Sequence, residues 1–324
     1  MTKDSRPTNL FISWINYHGR SKDLADSIGF APVFINRRTG PPALRYVMQA
    51  ASTARMILRH RPKVVAVMLP PLPLLLTVRV LSLVLGYRII ADLHSGVFLN
   101  PKWRWALRYT LSAIGRSNVA IVTNSALQDM STSRVPQTIV LHDLISLPAF
   151  EELTSNSPYV LVPLSYANDE PLESLIEAAR ITPEVRWVLT GNPPTSLRLS
   201  APGNIQFPGY VNVSEYRELL ANASVVVALT TRAHTMQRGG YEAISAGRPL
   251  VTSNFKELRD YFGDAAQYAE STSESISRAV AIVLSNHDTY VRKMRTLAHT
   301  RHAEQESRIS ELTGWIGQYE ESVS

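Results

Sequence analysis

TTRAHTMQRGGYEAISAGRPLVTSNF, residues Thr230 to Phe255, is the stretch whose reading decides the fold. An apolar run from Ser224 to Leu229 precedes it, with the length and composition of a buried parallel strand. Arg232, His234 and Arg238 follow, then the pair Gly239-Gly240. A helical segment from Tyr241 to Ala246 ends at Gly247, and Pro249-Leu250-Val251 opens the next strand. Strand, loop, paired glycines and helix start is an order that turns free backbone N–H groups and the positive end of a helix dipole beyond the strand ends. A diphosphate suits that space. The same glycines also serve as plain turn chemistry in many α/β proteins, and that reading stands beside the functional one.

Working outward, 324 residues suffice for two cores, and 45% hydrophobic with 19% charged is an ordinary globular composition. The absence of cysteine excludes a disulfide framework, thiolate chemistry and cysteine-based zinc sites, and it fits a cytoplasmic protein. The apolar part of MTKDSRPTNLFISW is only a strand's length, so no cleaved leader is expected. Charge divides unevenly. Residues 1 to 150 hold 18 Lys and Arg against 6 Asp and Glu, whereas residues 151 to 324 hold 15 against 21. The basic half suits anionic lipid, nucleic acid or a phosphorylated acceptor. No nucleic-acid module is recognisable, so no nucleic-acid partner is expected.

In the first half, Asn9 to Ile15 reads as a strand and residues 16 to 20 as a polar loop. Ser21 then caps a helix from Lys22 to Ile28, and Pro32 to Ile35 follows as a strand. Ala43 to His60 spaces Leu44, Val47, Met48, Ala51, Met56 and Ile57 helically among arginines, as a helix packed on a sheet or a basic amphipathic helix on a membrane surface. Val64 to Leu69 is a strand and Leu74 to Leu85 a very apolar helix. Prolines and Arg79 cut this region into pieces shorter than the roughly 20 residues of a membrane span. Asp92-Leu93-His94 then lies at the carboxyl end of the strand from Arg88, where doubly wound sheets bind ligands. His94 is a candidate base and Asp92 its orienting partner. Pro101 to Ile114 reads as one helix mixing Trp103, Trp105 and Tyr109 with basic residues, and Asp143 to Ser157 as an interdomain linker.

In the second half, Tyr159 to Pro163 and Arg186 to Thr190 read as strands, with a helix from Leu172 to Arg180 and another capped by Ser214. The closing helix runs from about His302 to Glu320. No internal repeat, low-complexity run or metal-ligand cluster is legible.

Glu242-Ala-Ile-Ser-Ala-Gly-Arg-Pro-Leu-Val251 resembles the second half of the motif of GT-B glycosyltransferases in which a first glutamate lies eight positions before E-A-x-x-x-G-x-P-V-V, in particular in the sugar-nucleotide group that includes glycosyltransferase family 4. Ile205 to Tyr210 is similar to that group's V-x-F-x-G-x-V, which lines the base pocket through backbone groups. Residues 70 to 94 (PPLP, apolar helix, strand, D-x-H) resemble the first domain of the dolichol-linked β-mannosyltransferases. The resemblance implies an α/β chain of two Rossmann-like, doubly wound domains facing across a cleft. They would be an acceptor domain over 1–150, a sugar-nucleotide domain over 151–301 and a helix over 302–324 crossing back. It implies transfer of a sugar from a nucleotide-sugar donor to a lipid-linked or glycan acceptor in polysaccharide assembly, with no metal or other cofactor. The enzyme would be cytoplasmic and peripheral on the inner face of an anionic membrane.

By the same resemblance Glu242 holds the donor ribose. Arg232, Arg238, Gly239 and Gly240 stand at the diphosphate, with His234, Tyr210 and Gly19 also on the donor, Arg20 beside Gly19 where the loop after the first strand approaches donor and acceptor, and His94 or Asp92 near the reacting hydroxyl. Two departures stand out. His234 occupies the place of the motif's first glutamate, and Ser165 to Glu170 replaces the group's G-R-x-x-x-x-K-G phosphate clamp. They motivate one alternative, a catalytically silent GT-B scaffold at the membrane, and a GT-B epimerase or hydrolase on the same donor stands as another.

Overall fold

The computed structural model describes residues 9–37, 39–147 and 158–322. The chain forms two units, one running to Leu144 and resuming at Gln305, the other from Ile145 to Glu304. Of the expected linker, residues 148–157 lie outside the described residues.

Unit 1 contains β1 (Leu10–Ser13), α1 (Gly19–Ser27), β2 (Ala31–Phe34), α2 (Pro42–His60), β3 (Val64–Leu69), α3 (Leu72–Leu85) and β4 (Arg88–Leu93). It continues with α4 (Ser95–Leu99), α5 (Pro101–Arg104), α6 (Leu107–Ile114), β5 (Val119–Val122), α7 (Ser125–Thr132) and β6 (Thr138–Val140). The strands form one parallel sheet in the order β2-β1-β3-β4-β5-β6. Strand β3 is buried at every position, as a parallel strand covered on both faces must be. One face of the sheet packs on Ile57, Leu74, Val78 and Leu111 of α2, α3 and α6. The other packs on Leu24 of α1 and, from the end of the chain, Leu312 and Ile316. Gly86 ends α3 in the left-handed conformation that glycine adopts most readily.

Unit 2 contains β7 (Tyr159–Val162), α8 (Leu172–Ile181), β8 (Arg186–Thr190), α9 (Thr195–Ser200), β9 (Ile205–Gly209), α10 (Val213–Ala221) and β10 (Val225–Ala228). Then come α11 (Arg238–Ala246), β11 (Leu250–Ser253), α12 (Lys256–Phe262), a 3-10 turn (Gly263–Ala265), β12 (Ala266–Ala269) and α13 (Ser273–Ser285). Its parallel sheet has the order β12-β11-β10-β7-β8-β9. The last helix, α14 (His287–Ser322), begins well before the expected His302. It buries Met294 and Ala298 in the core of unit 2, then Leu312 and Ile316 in that of unit 1.

Four local expectations change. Helix α1 starts at Gly19 with His18, not Ser21, as its cap, so Gly19 and Arg20 belong to the first turn rather than a loop. Pro101 to Ile114 is two helices. Trp105 Nε1 donates to the Lys102 carbonyl and the Ala106 N–H to that of Trp103, which closes α5 as a tight turn before α6 begins. Helix α10 is capped by Asn212 rather than Ser214, in a reciprocal capping box with Glu215. Helix α11 begins at Arg238, placing Gly239 and Gly240 inside its first turn.

Candidate functional site

In open parallel sheets ligands bind beyond the carboxyl ends of the strands where the order reverses. In unit 2 the order reverses between β7 and β10. The loops leaving those strands are stitched together there. Thr231 N–H donates to the Asp169 carbonyl at 2.7 Å and Thr230 Oγ1 to Asp169 Oδ2 at 2.8 Å, with the Arg232 guanidinium 3.8 Å from Asp169 Oδ1. Glu170 folds back on its own loop, accepting from Ser165 N–H, Ser165 Oγ and Ala167 N–H.

Helix α11 starts at this edge. A Cβ on Gly239 would lie 2.7 Å from Pro163 Cγ and 3.2 Å from Ala228 Cβ, and one on Gly240 would lie 2.7 Å from Phe262 Cζ. The glycines therefore let the helix seat against the ends of β7 and β10 and against α12. The Gly240 N–H donates to the Gln237 carbonyl at 3.0 Å, and the start of α11 carries the positive end of the helix dipole. One turn on, Glu242 accepts from Arg238 Nε at 2.9 Å and from the Tyr216 hydroxyl of α10. Burial, reinforced by the Glu242 charge, pushes the Tyr216 phenol well above its ordinary range, so it stays a donor. His234 adopts φ +57°, rare for a residue with a side chain, and its Nδ1 meets the buried Glu257 carboxylate of α12.

Arg232, His234, Arg238, Gly239, Gly240 and Glu242 thus share the β10–α11 connection and its helix. Tyr210 does not join them. It is exposed at the end of β9, three strand spacings or about 14 Å from β10.

Unit 1 holds a denser cluster. Asp92, 1% exposed at the end of β4, receives Arg20 Nε and Nη2 of α1 at 3.2 and 2.9 Å and His94 Nε2 at 3.0 Å. Arg20, itself 3% exposed, also donates to Asp143 Oδ1 and to the Leu141 carbonyl, both at 2.9 Å. Burial alone would raise the Asp92 pKa, but the Arg20 charge and then His94 hold it well below the usual carboxylate range. With Nε2 turned to Asp92, Nδ1 of His94 has no hydrogen-bond partner among the described residues and is the nitrogen able to take a proton. His18 lies edge-on to His94, ring centroids 4.9 Å apart. Its Nδ1 accepts the Ser21 N–H as the cap of α1, which requires that nitrogen unprotonated. Burial, then the charge at His94, lowers its pKa to about 4. Gly19 contributes only the backbone of the first α1 turn.

Sequence reading missed Tyr216 and Glu257 and the roles of His18 and Asp143, and it singled out Arg20 beside Gly19 by position after β1 without its pairing to Asp92. His18 and Asp143 each follow a strand on the ligand-binding edge, a placement that could have flagged them. Tyr216 and Glu257 sit on helices and carried no such signal.

Two parallel six-stranded sheets flanked by helices on this plan settle the fold. It is the GT-B fold. Residues 159–286 match the family described as glycosyl transferases group 1. Among solved structures, the chain is similar to a glycosyltransferase from Rickettsia africae ESF-5, at 11% identity over 98% of each chain with a TM-score of 0.72. It is similar to Anabaena Alr3699/HepE in complex with UDP and glucose, at 14% identity over 97% of this chain and 99% of that one with a TM-score of 0.70. A candidate UDP-N-acetylglucosamine 2-epimerase from Listeria monocytogenes matches at 11% identity over 97% of each chain, TM-score 0.66. No curated protein is a significant match in sequence. At such identities the likeness carries the fold and leaves the chemistry to the residues.

Proposed function

We propose that the protein is a glycosyltransferase that takes its sugar from a nucleotide-sugar donor bound by unit 2. The observation that carries this reading is the start of α11 at the reversal between β7 and β10, inside the segment that matches group 1 glycosyl transferases. There the helix amides and Arg238 address a diphosphate, and Glu242, oriented by Tyr216, addresses the two hydroxyls of a ribose. The UDP-bound state of the similar Anabaena protein supports a nucleoside diphosphate as the ligand class. In unit 1, His94 backed by Asp92 supplies the base.

The anomeric carbon exchanges its bond to the diphosphate oxygen for one to the acceptor oxygen. The acceptor proton passes to His94 Nδ1, and the departing nucleoside diphosphate keeps the bonding pair. Its charge is met by Arg238, Arg232 and the helix amides. The basic first half of the chain favours a lipid-linked acceptor at an anionic cytoplasmic membrane surface, in glycan assembly.

The test is release of nucleoside diphosphate from a panel of nucleotide sugars, with and without membrane lipid extract. Release that depends on the extract is the expected result. Glu170, self-bonded where a cationic clamp is absent, favours one second reading, a silent scaffold. Donor binding without release in any arm would establish that reading instead. Equal release without extract would establish a hydrolase.

A further inference from the structure

The outward side of α3 departs from what a surface helix shows. Leu76, Val80, Leu83 and Val84 recur along one side and are 47%, 63%, 70% and 80% exposed. A helix apolar on both its core and solvent sides lacks a partner for one of them. The stripe grows more exposed towards Gly86, where α3 ends and β4 begins.

At that end, Arg88 and Arg116 line an open cavity of about 350 Å³ with Ser117, Gln137, Trp315 and Tyr319. The Tyr319 hydroxyl donates to the Gly86 carbonyl, which ties the cavity to the tip of α3, and Arg88 stacks on the Tyr319 ring at 5.1 Å. Neither arginine has a carboxylate partner among the described residues. The wider sequence agrees. Residues 27 to 128 carry 13 Lys and Arg and a single carboxylate, Asp92, which is buried against Arg20.

We infer that the C-terminal tip of α3 and the adjoining Arg88–Arg116 cavity form a docking surface for an anionic lipid bilayer. Leu83 and Val84 enter the acyl boundary, while the two arginines hold a lipid phosphate. Charge decides this occupant. An apolar tip beside unopposed arginines matches a layer that is hydrocarbon below and anionic above. No helix among the described residues is long and apolar enough to cross a membrane. The inference rests on the membrane part of the reading above and not on the sugar chemistry.

The experiment is co-sedimentation of the full chain with vesicles of phosphatidylcholine alone or mixed with phosphatidylglycerol. Wild type should bind only the mixed vesicles and be released by salt. Leu83→Asp with Val84→Asp, both at exposed positions, should lower the partition at least about tenfold, and Arg116→Ala about fivefold. Unchanged melting curves would show that the variants fold. Nucleotide-sugar binding measured on the same proteins without vesicles should not change, so failure here leaves the donor reading standing. Absence of wild-type binding to mixed vesicles, or equal partition of the double variant, overturns the inference. So does a wild-type dimer in solution that the double variant splits, because the stripe would then belong to a second copy.

Discussion

The two units carry their charged groups in opposite states. In unit 1, Arg20 and Asp92 are shut into the end of the sheet and already paired, and His94, a quarter exposed, is bonded to the same carboxylate. In unit 2, Arg232 and Arg238 are largely exposed, and their present partners, Asp169 and Glu242, are carboxylates. A buried network is fixed before any ligand arrives, which suits a base that must hold one tautomer and direction. An exposed pair is weak in water, so an incoming diphosphate can take over the arginine at little cost.

Removing an arginine from each unit should expose the contrast most strongly. Arg20→Met strands a buried carboxylate and should destabilise the fold by about 3 to 5 kcal/mol, read from denaturant melts. Arg238→Ala should change stability by less than about 0.5 kcal/mol. The same Arg238→Ala should lower kcat/KM by about 2 to 4 kcal/mol, because that guanidinium meets the departing diphosphate. Equal melts for the two variants would break the contrast, and unchanged kcat/KM would remove Arg238 from the site.

These sites were unequally legible in sequence. Strands β3, β7 and β10 were read correctly because each is an unbroken apolar run, and the ends of α3 and α11 because Gly86 and Gly247 take the left-handed conformation. Glu242 and Arg238 lay in a contiguous motif. The Arg20–Asp92–Asp143 network gave no local signal, since its members sit 72 and 123 residues apart. The cap of α1 was misplaced because imidazole is not among the usual capping groups, whereas Ser21 is. Gly239 and Gly240 were read for what they leave open to a ligand. The structure adds a packing requirement at both, against Pro163 and Phe262.

A smaller effect sharpens the contrast on the donor side. Glu242→Ala should weaken nucleotide binding by about 1.5 to 3 kcal/mol while the fold persists, since its side chain is partly exposed and its partner Arg238 can turn to water. Unfolding of this variant would make Glu242 structural instead.

A separate effect is a pH dependence confined to unit 1. His18 titrates near 6.5 in the unfolded chain and near 4 in the fold, so the unfolded state binds more protons between those values. Its contribution to stability is fully present above about pH 6.5 and is lost as pH falls towards about 4. His18→Gln should flatten that stretch of the melting profile. An identical profile in the variant would assign the acid sensitivity elsewhere. Asp92, also lowered, adds a loss only below the ordinary carboxylate range.

The claim at the centre is that the start of α11 holds a nucleotide-sugar donor, and thermal melting with UDP-, GDP-, ADP- and TDP-sugars tests it most directly. One nucleotide class should raise stability by roughly 2.7 kcal/mol at about 100 times its Kd, and Glu242→Ala should remove most of that gain at the same concentration. No shift with any of the four, or a shift that Glu242→Ala leaves intact, would contradict it.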